Sequence, residues 1–256
     1  MTTSRHSAPD PLAPLAALPG VADAADRARA ALEEAHRHKA NRRGWPTSAT
    51  EASLRAARNS AALDGASIAL PEDGDITDPL LAGALRVSAM LDGDALTNTL
   101  GTWERAPLQV IARLHTVAAA GVVDDPDALG RPRATPGISE RLDALAELAT
   151  GGTSVAAPLL AAVVHGELLT LRPFGTADGI VARAASRLTC TATGLDPHNL
   201  GVPEAYWLKR RNAYRQAADG YAAGTAEGVA GWIITCCAAL ETGGHEAVKI
   251  AEAHSG

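Results

Sequence analysis

The sequence predicts an all-α fold, and three observations predict it. Hydrophobic residues make up 46% of the chain and alanine dominates them, and alanine is the strongest helix former. Aromatic residues are only 3%, so the core is expected to be close-packed helices with small contact residues, not rings or β-branched strands. Apolar residues also recur at spacings of three and four along most of the chain. At 256 residues the chain is long enough to bury a sizeable core.

Residues 1 to 20 carry four prolines, polar residues and little periodicity, which predicts a disordered or loosely docked arm. From Val21 to Lys39 the apolar positions Ala25, Ala28, Leu32 and Ala35 predict one amphipathic helix, ended by the run from Asn41 to Pro46. Ser48 with Glu51 three residues on fits a capping box that starts a second helix, running through Leu54, Ala57, Ala61 and Ala62 to Gly65. Asp78 to Leu91 and Pro107 to Gly121 are further helices, and the proline- and aspartate-rich run from Asp124 to Gly137 predicts a loop or small hairpin. Ser139 to Thr150 reads as a helix. Val155 to Leu171 is apolar nearly all round and so central, and Gly179 to Thr193 resumes helical spacing after a short break. Pro203 to Gly220 and Ala226 to Thr242 close the chain, with Trp207, Tyr214, Tyr221 and Trp232 as the larger packing groups. No internal repeat is found.

The formal net charge is −6, and basic residues are scattered apart from Arg37 to Arg43 and Lys209-Arg210-Arg211. No large basic face for nucleic acid is implied. Cys190, Cys236 and Cys237 lack zinc-site spacing and read as buried thiols in a reducing compartment. His36, His38, His115, His198 and His245 show no ligand spacing either, so no metal site is expected. Prolines interrupt the apolar string Pro11 to Ala17, which argues against a signal peptide, and no stretch approaches a membrane span. A cytoplasmic protein is expected.

The break between the two central helices carries the functional information. Arg172-Pro-Phe-Gly-Thr-Ala-Asp-Gly-Ile-Val-Ala-Arg183 resembles, without a gap, the signature H-P-F-x-D/E-G-N-G-R-x-x-R of the Fic (Fido) family. Leu114-His115 on the helix ahead and Leu129-Gly-Arg-Pro-Arg133 look like that family's Gly-x-x-Arg approach to a flap, and Tyr214, Gly220 and Trp232-Ile-Ile look like its closing helices. Upstream, Ser60-Ala-Ala-Leu-Asp64-Gly65 resembles its inhibitory helix pattern Ser/Thr-x-x-x-Glu-Gly/Asn, with aspartate for glutamate. The resemblance implies an N-terminal helical region over 21–105 with the inhibitory-like helix and a Fic core over 106–245, in one unit. Members of the family typically move AMP from ATP, or another phosphate-containing group, onto a protein hydroxyl. The histidine removes the hydroxyl proton, the acid holds magnesium, and the Gly-Asn-Gly turn opens a helix whose free N–H groups cradle an anion.

Here nearly every chemical position has changed. Arg172 stands for the histidine, and a guanidinium stays protonated and cannot be a general base. Thr176 replaces the metal-holding acid, Ala177 the first glycine, Asp178 the asparagine and Ile180 the first arginine, while Pro173, Phe174, Gly179 and Arg183 remain. The resemblance therefore implies a Fic-type bundle that lacks the usual adenylyltransferase activity and binds a protein partner or a small anionic ligand. The alternative is a transferase of non-standard chemistry on the same scaffold, with ATP and magnesium as cofactors only if the family activity survives.

Candidate catalytic positions are Arg172, Asp178 and His165, the last a histidine often found two turns before the loop in the family. Arg183, Phe174, Thr176 and Gly179 are the expected ligand-binding positions, and Ser60, Asp64 and Gly65 the regulatory ones. Asp178 also reads as a simple cap of the following helix, and His165 as a satisfied core residue. Asp64 and Arg183 are expected to pair, and Glu167 to turn away from the loop.

Overall fold

The computed structural model describes residues 9–67 and 75–254. Among them every regular element is helical: α1 (Ala13–Ala16), α2 (Val21–Arg37), α3 (Asn41–Leu63), α4 (Pro79–Met90), α5 (Gly93–Trp103), α6 (Pro107–Ala119), α7 (Ile138–Ala149), α8 (Ala157–Leu171), α9 (Asp178–Ala192), α10 (Pro203–Lys209), α11 (Arg211–Ala222) and α12 (Ala226–Ala253). The all-α fold is confirmed. None of these helices is long and apolar enough to cross a membrane.

Local chemistry sets many of the boundaries. Asp78 takes the Leu80 and Leu81 N–H groups at 2.9 and 3.2 Å and so starts α4, and Thr225 takes the Gly228 N–H to start α12. Prolines at the first turns of α4, α6, α8 and α10 occupy positions whose N–H would be unpaired anyway.

Five boundaries differ from the sequence-based expectation. From Pro9 onward the expected arm is docked: Leu12 is buried, and the Asp10 carboxylate accepts hydrogen bonds from the Thr153 and Ser154 hydroxyls and from the Ser154 N–H. α3 begins at Asn41 rather than at a Ser48 capping box, with Pro46 inside it. Proline so near a helix start removes one hydrogen bond there, and Trp45, stacked on His198 with ring centroids 4.0 Å apart, holds that first turn against the bundle. α5 has no counterpart among the expectations. The expected helix from Pro203 to Gly220 is two, broken at Arg210, and the last helix runs on to Ala253. Of the two alternatives expected for 124–137 the loop is the one found, with a 3-10 turn at Pro126–Ala128, and the neighbouring Ala120 and Val123 form an isolated bridge.

The centre of the bundle is the α8–α9 pair, packed along its length. Every residue of α9 from Asp178 to Thr191 is buried, as is most of α8. α12 packs along α2 and also against α8, α10 and α11. That packing is close because Gly244 lets the two backbones approach: a Cβ there would lie 2.8 Å from the carbonyl carbon and oxygen of Ala31. Beneath α10 the buried Arg187 guanidinium reaches the Glu204 carboxylate at 3.1 Å and the carbonyls of Gly201 and Asn199, so its charge is matched on several sides.

Candidate functional site

Between α8 and α9 the chain turns through residues with left-handed backbone. Arg172 has φ 48°, Gly175 85° and Ala177 51°. Glycine adopts such angles freely, whereas a side chain there costs about 1–2 kcal/mol, so Arg172 and Ala177 hold strained positions. The loop is held from outside by Arg133. Its backbone N–H donates to the Pro173 carbonyl at 2.8 Å, and its guanidinium donates to the Arg172 carbonyl at 2.7 and 3.1 Å and to that of Leu171.

From inside, the loop rests on His115. The imidazole stacks on Phe174 with centroids 4.0 Å apart and planes 5° from parallel. The Gly130 N–H donates to Nδ1 at 2.9 Å. That nitrogen is therefore bare, which places the proton of the neutral ring on Nε2, 3.2 Å from the Thr176 hydroxyl. Burial lowers the pKa of His115 and keeps this neutral form. One side chain thus ties α6, the stretch after α6 and the loop together.

Asp178 does not cap its own helix. Oδ1 reaches back to accept the Phe174 N–H at 2.9 Å and closes the loop across four residues. Oδ2 is buried and has no hydrogen-bond partner among the described residues. Burial raises the pKa of this carboxyl, opposed by the Phe174 and Gly175 N–H groups and by the charges of Arg172 and Arg133.

Below the loop lies a chain of polar contacts. Arg183, 1% exposed, donates from Nη2 to Asp64 Oδ1 at 2.8 Å and to the Ser60 carbonyl at 3.0 Å, and from Nε to the Ser60 hydroxyl at 2.8 Å. The expected ion pair between α3 and α9 is present. A third arm of Arg183 reaches the Tyr214 hydroxyl at 3.4 Å, and that hydroxyl is 2.8 Å from His165 Nε2. His165 is 0% exposed, walled in by Trp207, Trp232 and Tyr214. Its pKa is well below the ordinary value, because of burial first and the Arg183 charge second. His165 therefore sits in the core, away from the loop's exposed face, and Glu167 is indeed turned elsewhere, paired with Arg141 at 2.6 Å.

An open cleft of about 580 Å³ lies beside the loop, lined among others by Asp64, Arg172, Asp178, Gly179, Arg183 and Arg215. Of the candidate positions, these first five share one space. Phe174 and Thr176 face His115 instead and do not line the cleft, Ser60 lies behind Arg183, and Gly65 ends α3 outside it. Arg215 and Asp219 on α11 complete the lining. No motif pointed to them, because the helical face of α11 could not be placed from sequence.

No protein-family model matches the sequence, and no curated protein matches it. A crystal structure of a Fic family protein from Desulfovibrio desulfuricans G20 does align, with a TM-score of 0.67 over 90% of this chain and 74% of that chain. The chain has a Fic-type fold. Sequence identity across that alignment is 16%, so the likeness concerns the Fic architecture and leaves the chemistry of this cleft to its own residues.

Proposed function

We propose that this Fic-fold protein does not carry out the usual nucleotidyl transfer and acts by binding a protein partner or an anionic ligand in the cleft beside Arg172. The observation that carries this reading is the exposed Arg172 at the loop's first position, where the resemblance calls for a general base. A guanidinium cannot take a proton, yet it can hold a phosphate or carboxylate. The neutral Thr176, turned to His115, supplies no magnesium ligand in the cleft, and Arg183 is already engaged by Asp64 and Ser60. A reducing cytoplasm suits three buried, unpaired thiols.

The test is calorimetric titration of the purified protein with ATP and magnesium beside an Asp64→Gly variant. Neither protein is expected to bind in a way that leads to AMP on any protein substrate. Nucleotide binding confined to the variant, followed by AMP incorporation, would overturn the reading and restore a regulated transferase.

A second reading is a non-standard transferase of a nucleotidyl or other phosphate-containing group, with Asp178 as acid or base. The raised proton affinity of that carboxyl favours it. His165 is a poorer candidate, because nothing reaches it without opening the aromatic wall. Turnover of a phosphate ester that vanishes in Asp178→Ala, with the fold intact, would distinguish this from binding alone.

A further inference from the structure

The lining charges of the cleft do not balance in a fixed way. Arg183 and Asp64 cancel each other as a pair. What remains is Arg172 and Arg215, whose guanidinium groups have no hydrogen-bond or ion-pair partner among the described residues, against Asp178 and Asp219. With Asp178 ionised these four sum to zero. With Asp178 neutral the cleft is net positive.

The geometry shows which oxygen would hold that proton. Oδ1 is committed as an acceptor to the Phe174 N–H, whereas Oδ2 is buried without a partner in a residue that is 5% exposed. An unpaired buried carboxylate oxygen is costly, and either a proton on it or a donor against it removes the cost. The site also lies at the first residue of α9, where the helix N-terminus favours negative charge.

We infer that the cleft takes up an oxyanion together with one proton from solvent, which forms an O–H bond at Asp178 Oδ2 and removes the carboxylate charge from beside the bound anion. The inference rests on the proposed reading of this cleft as a ligand site and specifies its chemistry. Arg172 and Arg215 supply the charge, and Asp178, converted from a repelling carboxylate into a neutral acid, switches the cleft. By linkage the anion raises the proton affinity of Asp178 exactly as far as the proton raises the affinity for the anion. The other titratable and charged groups around Asp178 are Arg133 from the stretch after α6, Asp64 from α3, Tyr214 and Asp219 from α11, and His115 behind the loop. Burial lowers the pKa of His115, and its ring faces Phe174 rather than the cleft.

The probe is sulfate, whose charge is constant from about pH 8 to about pH 4.5, titrated calorimetrically in buffers of different ionisation enthalpy. A coupling of one pKa unit makes sulfate bind up to about tenfold more tightly at the acidic end, with uptake of about half a proton per sulfate where uptake peaks. Asp178→Asn should bind sulfate with the tight, acidic-end affinity throughout and take up no proton through this site, and Arg172→Ala should lose the sulfate. Sulfate binding to the wild-type protein without proton uptake would overturn the inference while leaving the cleft a ligand site. Proton release, with an amine such as ethylamine bound instead, would overturn it in favour of a cationic ligand on Asp178. Sulfate binding to neither protein would remove the anionic-ligand reading as well. The wild-type proton count decides the matter even if Asp178→Asn fails to fold.

Discussion

Gly179 lies so close to Asp64 that a Cβ at position 179 would stand 2.5 Å from Oδ1 and 2.8 Å from Oδ2 of its carboxylate. The glycine is the seat on which the acid rests while Arg183, one turn further along α9, holds Oδ1. Gly179→Ala should therefore displace Asp64 and break the ion pair while α9 stays in place, because a carboxylate at the end of a side chain moves more readily than buried backbone. Arg183 would keep Ser60 as its partner, which limits the loss to about 1–2 kcal/mol. Thermal unfolding should show a lowered midpoint, and an unchanged midpoint would mean that Gly179 does not confine the pair.

Ala177 has φ 51° at the position of the first glycine of the resembled turn. Ala177→Gly removes about 1–2 kcal/mol of left-handed strain and restores chain entropy to the unfolded state worth about 0.4–1 kcal/mol. The net expectation is a small gain of about 0.5–1 kcal/mol. A urea midpoint below that of the wild type would show that the Ala177 methyl packs better than its backbone suffers.

The parts legible in the sequence were those with local causes. Asp78 ahead of Pro79 marks the start of α4, and the Ser60–Asp64 pattern placed the acid that meets Arg183. Asn41 to Pro46 carries the local signs of a turn, and it is helical because Trp45 stacks on His198 and packs on the cluster of Leu200 and Ala247, all far away in sequence, while the buried Asn41 side chain donates to the Ala35 carbonyl. His165 illustrates the same limit. Its spacing from the loop was visible, but two turns along an all-apolar helix do not say which way a side chain faces. The role of His115 depends on Gly130, Phe174 and Thr176 meeting in space, and the link from Asp178 to the Phe174 N–H exists only once the loop's left-handed angles are known.

The α2–α12 contact makes a sharper prediction about packing. A methyl group on Gly244 would lie 2.8 Å from the Ala31 carbonyl and 3.0 Å from the Leu32 nitrogen, all backbone. Helix backbones cannot step aside as side chains do, so Gly244→Ala should force the two helices apart and cost about 2–3 kcal/mol despite the better helix propensity of alanine. Chemical denaturation would read this as a midpoint shift. A neutral result would show that α12 can slide along α2.

Stability should fall on the acidic side of neutrality, and His165 and His115 set the sign, with His198, also lowered by burial, acting in the same direction. Burial, with Arg183 adding to it, holds His165 well below its ordinary value of 6.5, and burial lowers His115, whose Nδ1 must stay bare to accept the Gly130 N–H. In the unfolded chain both titrate near 6.5, so between that value and their depressed native values the unfolded state binds more protons. Their contribution is complete above about pH 6.5 and is lost as pH falls through that window, with a slope approaching about 1.4 kcal/mol per pH unit for each. Asp178 and Glu204, whose pKa values are raised, oppose the trend nearer the carboxylate range by taking up protons first in the native state. Urea midpoints measured from about pH 7.5 to about pH 5.5 should therefore decline. His165→Gln should flatten the decline by removing the more strongly depressed group, whatever it does to absolute stability. A profile equally steep in that variant would place the linked protons elsewhere than at His165.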